Sequence, residues 1–421
     1  MWRAIMFAWS SRLDVCLLLK PKNGTHMKTL MSTNPLIPIV IKYDMYTSVT
    51  AKDMGRLLSA LKRPYRIRGI DLTLYTTELN KFFKATKCAF PILESLSLRA
   101  KGDQVMEIPA TFLKGTNLRL RSLELHPIYL TSISRLLSSA TALTDLSLKI
   151  KCYDKVPDLL HLLSQLQGMP YLRHLLLNID CFTDHLEQLT EPKESFPLAK
   201  LTSFDYQGHS SFLDILAMGF EAPSLQDVDI GLYDGTQTLP ALPPILHLPQ
   251  FINDIGEHYH AVLFILQRNY FDFSLQARAE VIRHKSPRFR LHLRRFPDTN
   301  IQNSITELTS IFSAKLSTME KLLIIFKDTQ EEDFPWRTFL EQFPSVKEFR
   351  IQGTNNHRIA SALQHGGPNL SVLPALERIT LCNTSYIAGH SSELVVFQPF
   401  VSAREQAGLQ VQVTCSSRMD Y

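Results

Sequence analysis

Leu93-Glu94-Ser95-Leu96-Ser97-Leu98 is followed by Leu120-Arg121-Ser122-Leu123-Glu124-Leu125, Leu143-Thr144-Asp145-Leu146-Ser147-Leu148 and Leu172-Arg173-His174-Leu175-Leu176-Leu177. Each hexamer sets an apolar residue first, fourth and sixth, the pattern of a repeat whose short strand buries alternate side chains. Weaker copies extend it in both directions. Ile67/Ile70/Leu72 stands before the four, and Leu201/Phe204/Tyr206, Leu225/Val228/Ile230, Val346/Phe349/Ile351 and Leu376/Ile379/Leu381 follow, with Met319/Leu322/Ile324 a looser member. From anchor 67 to anchor 225 the steps are 26, 27, 23, 29, 29 and 24 residues, and 346 to 376 adds 30. This is mostly leucine-rich-repeat spacing, about 20 to 29 residues.

Phe90-Pro91, Met169-Pro170, Ala222-Pro223, Phe343-Pro344 and Leu373-Pro374 each place a proline two residues before an anchor, and Phe196-Pro197 is the same device shifted by two. Proline lacks an amide donor and disfavours helix in the residue before it, so it suits a corner where a helix gives way to a strand. Helical patterns lie between the strand motifs at Asp53 to Leu61, Ser132 to Ala140, Val156 to Leu166 and Ser211 to Met218. A single strand–turn–helix unit cannot bury both of its apolar surfaces, so neighbours must stack.

The expected fold is therefore α/β, an irregular leucine-rich-repeat solenoid with a curved sheet of strands and helices on the outer face. Residues 1–50 read as a capping segment, 51–231 as repeats, 232–315 as irregular repeats with a Pro-rich crossing (Pro240, Pro243, Pro244, Pro249), and 316–421 as C-terminal repeats and cap. In the third stretch a strand is expected over His258 to Arg268. Arg288, Arg290, His292 and Arg294 interleave there with Phe289, Leu291 and Leu293. Two or three degenerate repeats with longer strands fit this stretch, and a border between two domains is the alternative.

Side chains alternate across a strand, so the residues flanking the fourth position of each motif face away from the core. They are Gly69 and Asp71, Ser95 and Ser97, Ser122 and Glu124, Asp145 and Ser147, His174 and Leu176, Ser203 and Asp205, Asp227 and Asp229, Glu348 and Arg350, and Arg378 and Thr380. All but Leu176 are polar or glycine. The concave strand face of such a solenoid is a partner-binding wall. The candidate partner-binding residues are Ser122, Glu124, Asp145, Ser147, His174, Ser203, Asp205, Asp227, Asp229, Glu348, Arg350 and Arg378. The wall leans acidic from Asp145 to Asp229 and turns basic at Arg350 and Arg378, which suggests a protein partner of complementary gradient. Ordinary solvated strand positions would carry the same residues.

With 45% hydrophobic and 20% charged residues, the 421-residue chain has apolar surface for a core along most of its length. A formal charge of +5 nominates no polyanion. The run from Arg278 to Arg295 carries seven Lys or Arg against Glu280 and supports an alternative, a nucleic-acid or anionic-surface binder through 278–295. Its alternation with apolar residues favours a solvated strand face. Six cysteines without a CxxC pair fit a reducing compartment, cytoplasm or nucleus. The longest central apolar run, Ala261 to Leu266, is too short for a membrane span, and Asn23, Asn369 and Asn383 read as chance glycosylation sequons.

No catalytic, cofactor or metal site is expected. Gly208 to Ser211 and Gly389 to Ser392 both read Gly-His-Ser-Ser but lack the closing glycine of a nucleophile elbow. His258 and His260 have no third ligand in reach on a strand, since Glu257 faces the other way, and no phosphate-cradling glycine motif occurs.

Trp2-Arg3, Ser11-Arg12-Leu13-Asp14, Leu17-Leu18-Leu19, Pro38-Ile39-Val40-Ile41, Phe90-Pro91 leading to Leu96 and Leu98, the run Leu136 to Thr141, and Leu373-Pro374-Ala375-Leu376 together resemble the divergent F-box and leucine-rich-repeat-like proteins of mushroom-forming fungi. The resemblance covers nearly the whole chain. It implies an F-box that docks on a ubiquitin-ligase adaptor, followed by repeats that capture substrate. Trp2-Arg3 resembles the segment directly after that box, so adaptor binding is expected only if an F-box lies upstream. The asparagine or cysteine usual three residues after the last strand leucine is replaced by Lys101, Ile128, Lys151 and Asp180, so the turns should differ from those of regular repeats.

Overall fold

The computed structural model describes residues 17–19, 38–44, 50–86, 88–102, 104–113, 119–152, 159–181, 192, 194–233, 259–267, 270–277, 288–294, 301–327, 334–353, 356–364, 371–382 and 390–416. The Pro-rich stretch, most of the capping segment, the three sequon asparagines, and residues 278–287 and 295 of the 278–295 basic run lie outside these residues. The protein is mixed α/β and divides into two units, residues 1–207 with 215–224, and residues 208–214 with 225–421.

In the first unit the strands are β1 (Leu17–Leu19), β2 (Ile39–Asp44), β3 (Ile67–Tyr75), β4 (Ser95–Lys101), β5 (Ser122–Ile128), β6 (Asp145–Cys152), β7 (His174–Cys181) and β9 (Ser203–Gly208), with β8 (Phe196–Pro197) and β10 (Phe220–Glu221) as a separate short pair. The helices are α1 (Ala51–Leu61), α2 (Thr76–Ala85), α3 (Leu130–Ser139) and α4 (Leu159–Gln167), and α5 (Ser210–Gly219) is divided between the units. The sheet runs β1-β2-β3-β4-β5-β6-β7-β9, parallel throughout. All four expected helices form, within a few residues of the expected ends. Thr50 caps α1, its Oγ1 accepting from the Asp53 amide at 3.2 Å.

The motif explains the packing. Leu96 and Leu98 are buried, as are their partners Leu123 and Leu125, Leu146 and Leu148, Leu175 and Leu177, and Phe204 and Tyr206. Each such side chain contributes roughly 1.5–3 kcal/mol on burial. The anchor sits one turn earlier. The Phe90 carbonyl accepts from the Leu93 amide at 3.2 Å, Met169 from Leu172 at 3.1 Å, Phe343 from Val346 at 3.3 Å and Leu373 from Leu376 at 3.1 Å. Pro91, Pro170, Pro344 and Pro374 thus occupy the second position of a four-residue turn, where a fixed φ is preset and no amide is needed.

One device joins successive strands. The Glu94 carbonyl accepts the amides of Arg121 (2.7 Å) and Ser122 (3.0 Å), the Arg121 carbonyl those of Thr144 (2.8 Å) and Asp145 (2.9 Å), and the Thr144 carbonyl those of Arg173 (2.7 Å) and His174 (3.0 Å). Each repeat so fixes the register of the next.

In the second unit the strands are β11 (Asp227–Tyr233), β12 (Tyr259–Gln267), β13 (Tyr270–Ala277), β14 (Arg288–Arg294), β15 (Lys321–Lys327), β16 (Glu348–Gln352), β17 (Arg378–Cys382) and β18 (Gln412–Ser416). The helices are α6 (Ile301–Ile311), α7 (Ser313–Leu316), α8 (Trp336–Leu340), α9 (Asn356–Gln364) and α10 (His390–Gln406). The order is β11-β14-β13-β12-β15-β16-β17-β18. From β12 through β15, β16 and β17 to β18 the pairs are parallel, and the joining device recurs, the Glu320 carbonyl accepting from Lys347 and Glu348.

The stretch read as degenerate repeats departs from the repeat plan. β12, β13 and β14 form an antiparallel meander, with β11 parallel to β14. The cause is connection length. Only Arg268 and Asn269 separate β12 from β13, which suffices for a hairpin but not for the dozen or more residues of a parallel crossover. Beneath the meander the core is aromatic: Phe273 lies 5.1 Å from Phe264, 6.0 Å from Phe289 and 5.0 Å from Phe312 between ring centroids.

Candidate functional site

Register carries the variable residues of the first unit into rows that run across the strands. Ser95, Ser122, Asp145, His174 and Ser203 are successive partners in one row. Lys42, Asp71, Ser97, Glu124, Ser147, Leu176 and Asp205 make the second. A third holds Thr73, Arg99 and His126, and beyond a bulge Lys149, Asn178 and Gln207. Adjacent members lie about 4.8 Å apart along a row. Ser122, Glu124, Asp145, Ser147, His174, Ser203 and Asp205 are thus assembled on one face. Gly69 departs from the solvated role expected of it: it is buried, and an added Cβ would meet Ser95 Oγ at 2.6 Å and both Val40 methyls at 3.3 Å.

These residues bond to one another across the strands. Arg99 bridges Asp71 (3.4 Å) and Glu124 (Nε to Oε1, 2.6 Å), and Ser97 donates to Glu124 at 2.9 Å. Lys42 reaches Asp71 at 3.0 Å, and His174 Nδ1 lies 2.5 Å from Asp145 Oδ1. Burial alone would raise the Glu124 carboxyl, but the bonds from Arg99 and Ser97 outweigh it and hold the group below the usual range. His126 Nε2 lies 2.8 Å from Ser147 Oγ, while its Nδ1 is 3.7 Å from Glu124. Burial, then the charges of Arg99 and Lys149, push this imidazole down against the pull of Glu124, so it is neutral at pH 7.

The second unit places Asp227 and Asp229 on β11 beside Arg288 and Arg290 of β14, and Glu348 and Arg350 on β16 beside Arg378 and Thr380 of β17. Asp229 lies 3.6 Å from Arg290 and 3.1 Å from His292 Nε2, whose Nδ1 is 3.3 Å from Asp272. Burial would lower this imidazole, yet hydrogen bonds to the two carboxylates raise it to about 9. Glu348 accepts from Arg350 at 2.8 Å and pairs with Lys321 at 3.1 Å; burial opposes its ionisation but these cations hold it low. Much of the charge expected to form an acidic-to-basic gradient is therefore neutralised within the strand face. Arg290, the one arginine of the 278–295 run whose side chain is described, spends part of its charge on Asp229. Thr380 is buried.

Sequence reasoning passed over several participants. Arg99, His126 and Lys149 continue the same alternation one residue past each motif, and longer strands would have included them. Leu263, Leu323 and Ile325, with Ile265 packed beside them, form an apolar cluster. Register gives them the same rows as Arg350 and Ser274 or Gln352 and Asp272, the rows that are polar elsewhere. The unbroken run Leu322-Leu323-Ile324-Ile325-Phe326 marks a strand apolar on both faces.

Gly208 to Ser211 does fall at a strand-to-helix junction, but Ser210 is only 1% exposed and the Ser211 amide bonds to His209 Nδ1 at 3.3 Å. Gly389 to Ser392 and His258 fall outside the described side chains, and His260 lies 3.1 Å from Glu320. Among the described residues no three His, Cys, Asp or Glu gather to hold a metal, and no helix is long and apolar enough to cross a membrane. The chain matches no protein-family model and no curated protein.

Proposed function

We propose that the chain is an irregular leucine-rich-repeat solenoid whose strand face binds a protein partner, and that it has no active site of its own. The observation that carries this reading is the environment of Leu176. It sits in the second row between Ser147 and Asp205, half-buried, with Asp145, His174, Asn178 and Gln207 around it. A single apolar side chain ringed by paired polar groups has the layout of an interface anchor, because the ring excludes water while the anchor gains most from burial. The regular motif spacing, the repeated carbonyl device and the parallel pairing support the solenoid assignment. In cells the partner would be an intracellular protein, and a chain joined to an F-box would present it to a ubiquitin ligase as substrate.

Photo-crosslinking tests this reading. A benzophenone side chain replacing Leu176 should capture one discrete protein, whereas the same group replacing Leu160, exposed on α4, should not. Identical products from both positions would contradict it.

A further inference from the structure

The β5–β6 pair is irregular at one place. Leu125 pairs with Leu148 and Ile128 with Ile150, so His126 and Pro127 together face the single residue Lys149. Bulges of this kind re-aim a side chain out of the regular row. Here the imidazole leans onto the neighbouring strand, Nε2 against Ser147 Oγ at 2.8 Å. Its Nδ1 stays beyond hydrogen-bond reach of Glu124, whose oxygens are taken by Arg99 and Ser97. No carboxylate pairs with Lys149 among the described residues. The acidic groups of the adjoining row, Asp71 and Glu124, are capped by Lys42 and Arg99.

Resting on the reading of the strand face as a protein-binding surface, we propose that His126 and Lys149 form a notch that takes a carboxylate from an acidic segment of the partner. Lys149 supplies the standing positive charge and His126 Nδ1 a directional donor. Ser147 orients the ring from β6, and Arg99 on β4 holds Glu124 off it. The charged groups around the imidazole are Glu124 on its own strand, Arg99 on β4 and Lys149 on β6. In the free protein burial and the two cations keep the ring neutral; a carboxylate in the notch offsets both cations and favours the imidazolium. Binding then takes up a proton, so an acidic ligand binds more tightly at pH 6 than at pH 8, whereas a site built on lysine alone would be nearly flat over that range.

The test uses dye-labelled hexaglutamate and hexaglutamine peptides with the full chain. Anisotropy titrations at pH 6 and pH 8 are paired with NMR of the His126 ring. Hexaglutamate should bind and hexaglutamine should not. Lys149→Gln should weaken hexaglutamate about tenfold, the loss of one partly buried charge contact, and Lys149→Arg should restore it. The His126 titration midpoint should rise when hexaglutamate is added. Equal binding by wild type and Lys149→Gln, or an unmoved midpoint, overturns the notch. That result leaves crosslinking at position 176 to stand or fall alone, and loss of crosslinking with hexaglutamate binding intact removes the protein-binding reading instead.

Discussion

His292 Nε2 on β14 lies 3.1 Å from Asp229 Oδ1 on β11, across the parallel junction at one edge of the antiparallel meander. With Asp272 on its other nitrogen, this imidazole is held protonated up to about pH 9. An unfolded histidine titrates near 6.5. The raised folded value means the clamp's stabilisation is complete below about pH 6.5 and is lost as pH rises through 9. At about 1.4 kcal/mol per pKa unit its upper bound is on the order of 3 kcal/mol. His292→Asn should lower the urea midpoint at pH 7, and the gap to wild type should close by pH 10.

Asp214 on α5 predicts the opposite sign. Its Oδ1 is buried without a hydrogen-bond partner, and burial raises the carboxyl to about 7. The folded form binds more protons than the unfolded chain between about pH 4 and 7, so this residue costs stability increasingly across that window. Asp214→Asn should raise the urea midpoint at pH 8, by at least about 1 kcal/mol, and give no gain at pH 4.

Arg404 on α10 is 1% exposed and donates to the carbonyls of Pro374 (3.1 Å), Val372 (3.1 Å) and Leu373. Leu373 itself has φ of +47°, an uncommon left-handed conformation for leucine that the guanidinium pins from outside. Arg404→Met keeps the stem but strands the carbonyls of Val372 and Pro374, at roughly 1–3 kcal/mol for each one left buried and unpaired, while Leu373 keeps the Leu376 amide. Urea denaturation should show a loss of several kcal/mol, with hydrogen exchange at the Leu376 amide accelerated over wild type.

The repeat was legible because its cause is local: Leu96 and Leu98, Leu123 and Leu125, and the turn prolines Pro91 and Pro170 obey spacing rules visible in any single repeat. The helices followed from their apolar stripes, and the candidate residues from Ser122 to Asp205 from the two-residue alternation of a strand. Three things were hidden. Arg99, His126 and Lys149 lie past the motif, where strand length decides which residues join the face, and that length is set by pairing with neighbours. The Asp229–His292–Asp272 clamp depends on β13 and β14 reversing direction, and the register of an antiparallel meander is fixed by contacts 20 to 63 residues apart in sequence. The neutralisation of Asp229 and Glu348 and the contact of Asp145 with His174 are likewise properties of neighbours in space.

The central claim is that the strand face around Leu176 is where a protein partner binds. Its most direct test is the dissociation constant of the protein captured at position 176, measured for Leu176→Asp and for Leu160→Asp. Loss of an interface anchor costs 2 kcal/mol or more, so Leu176→Asp should weaken binding by about 30-fold or more while Leu160→Asp stays within about twofold of wild type. Equal affinities for wild type and Leu176→Asp would contradict the account.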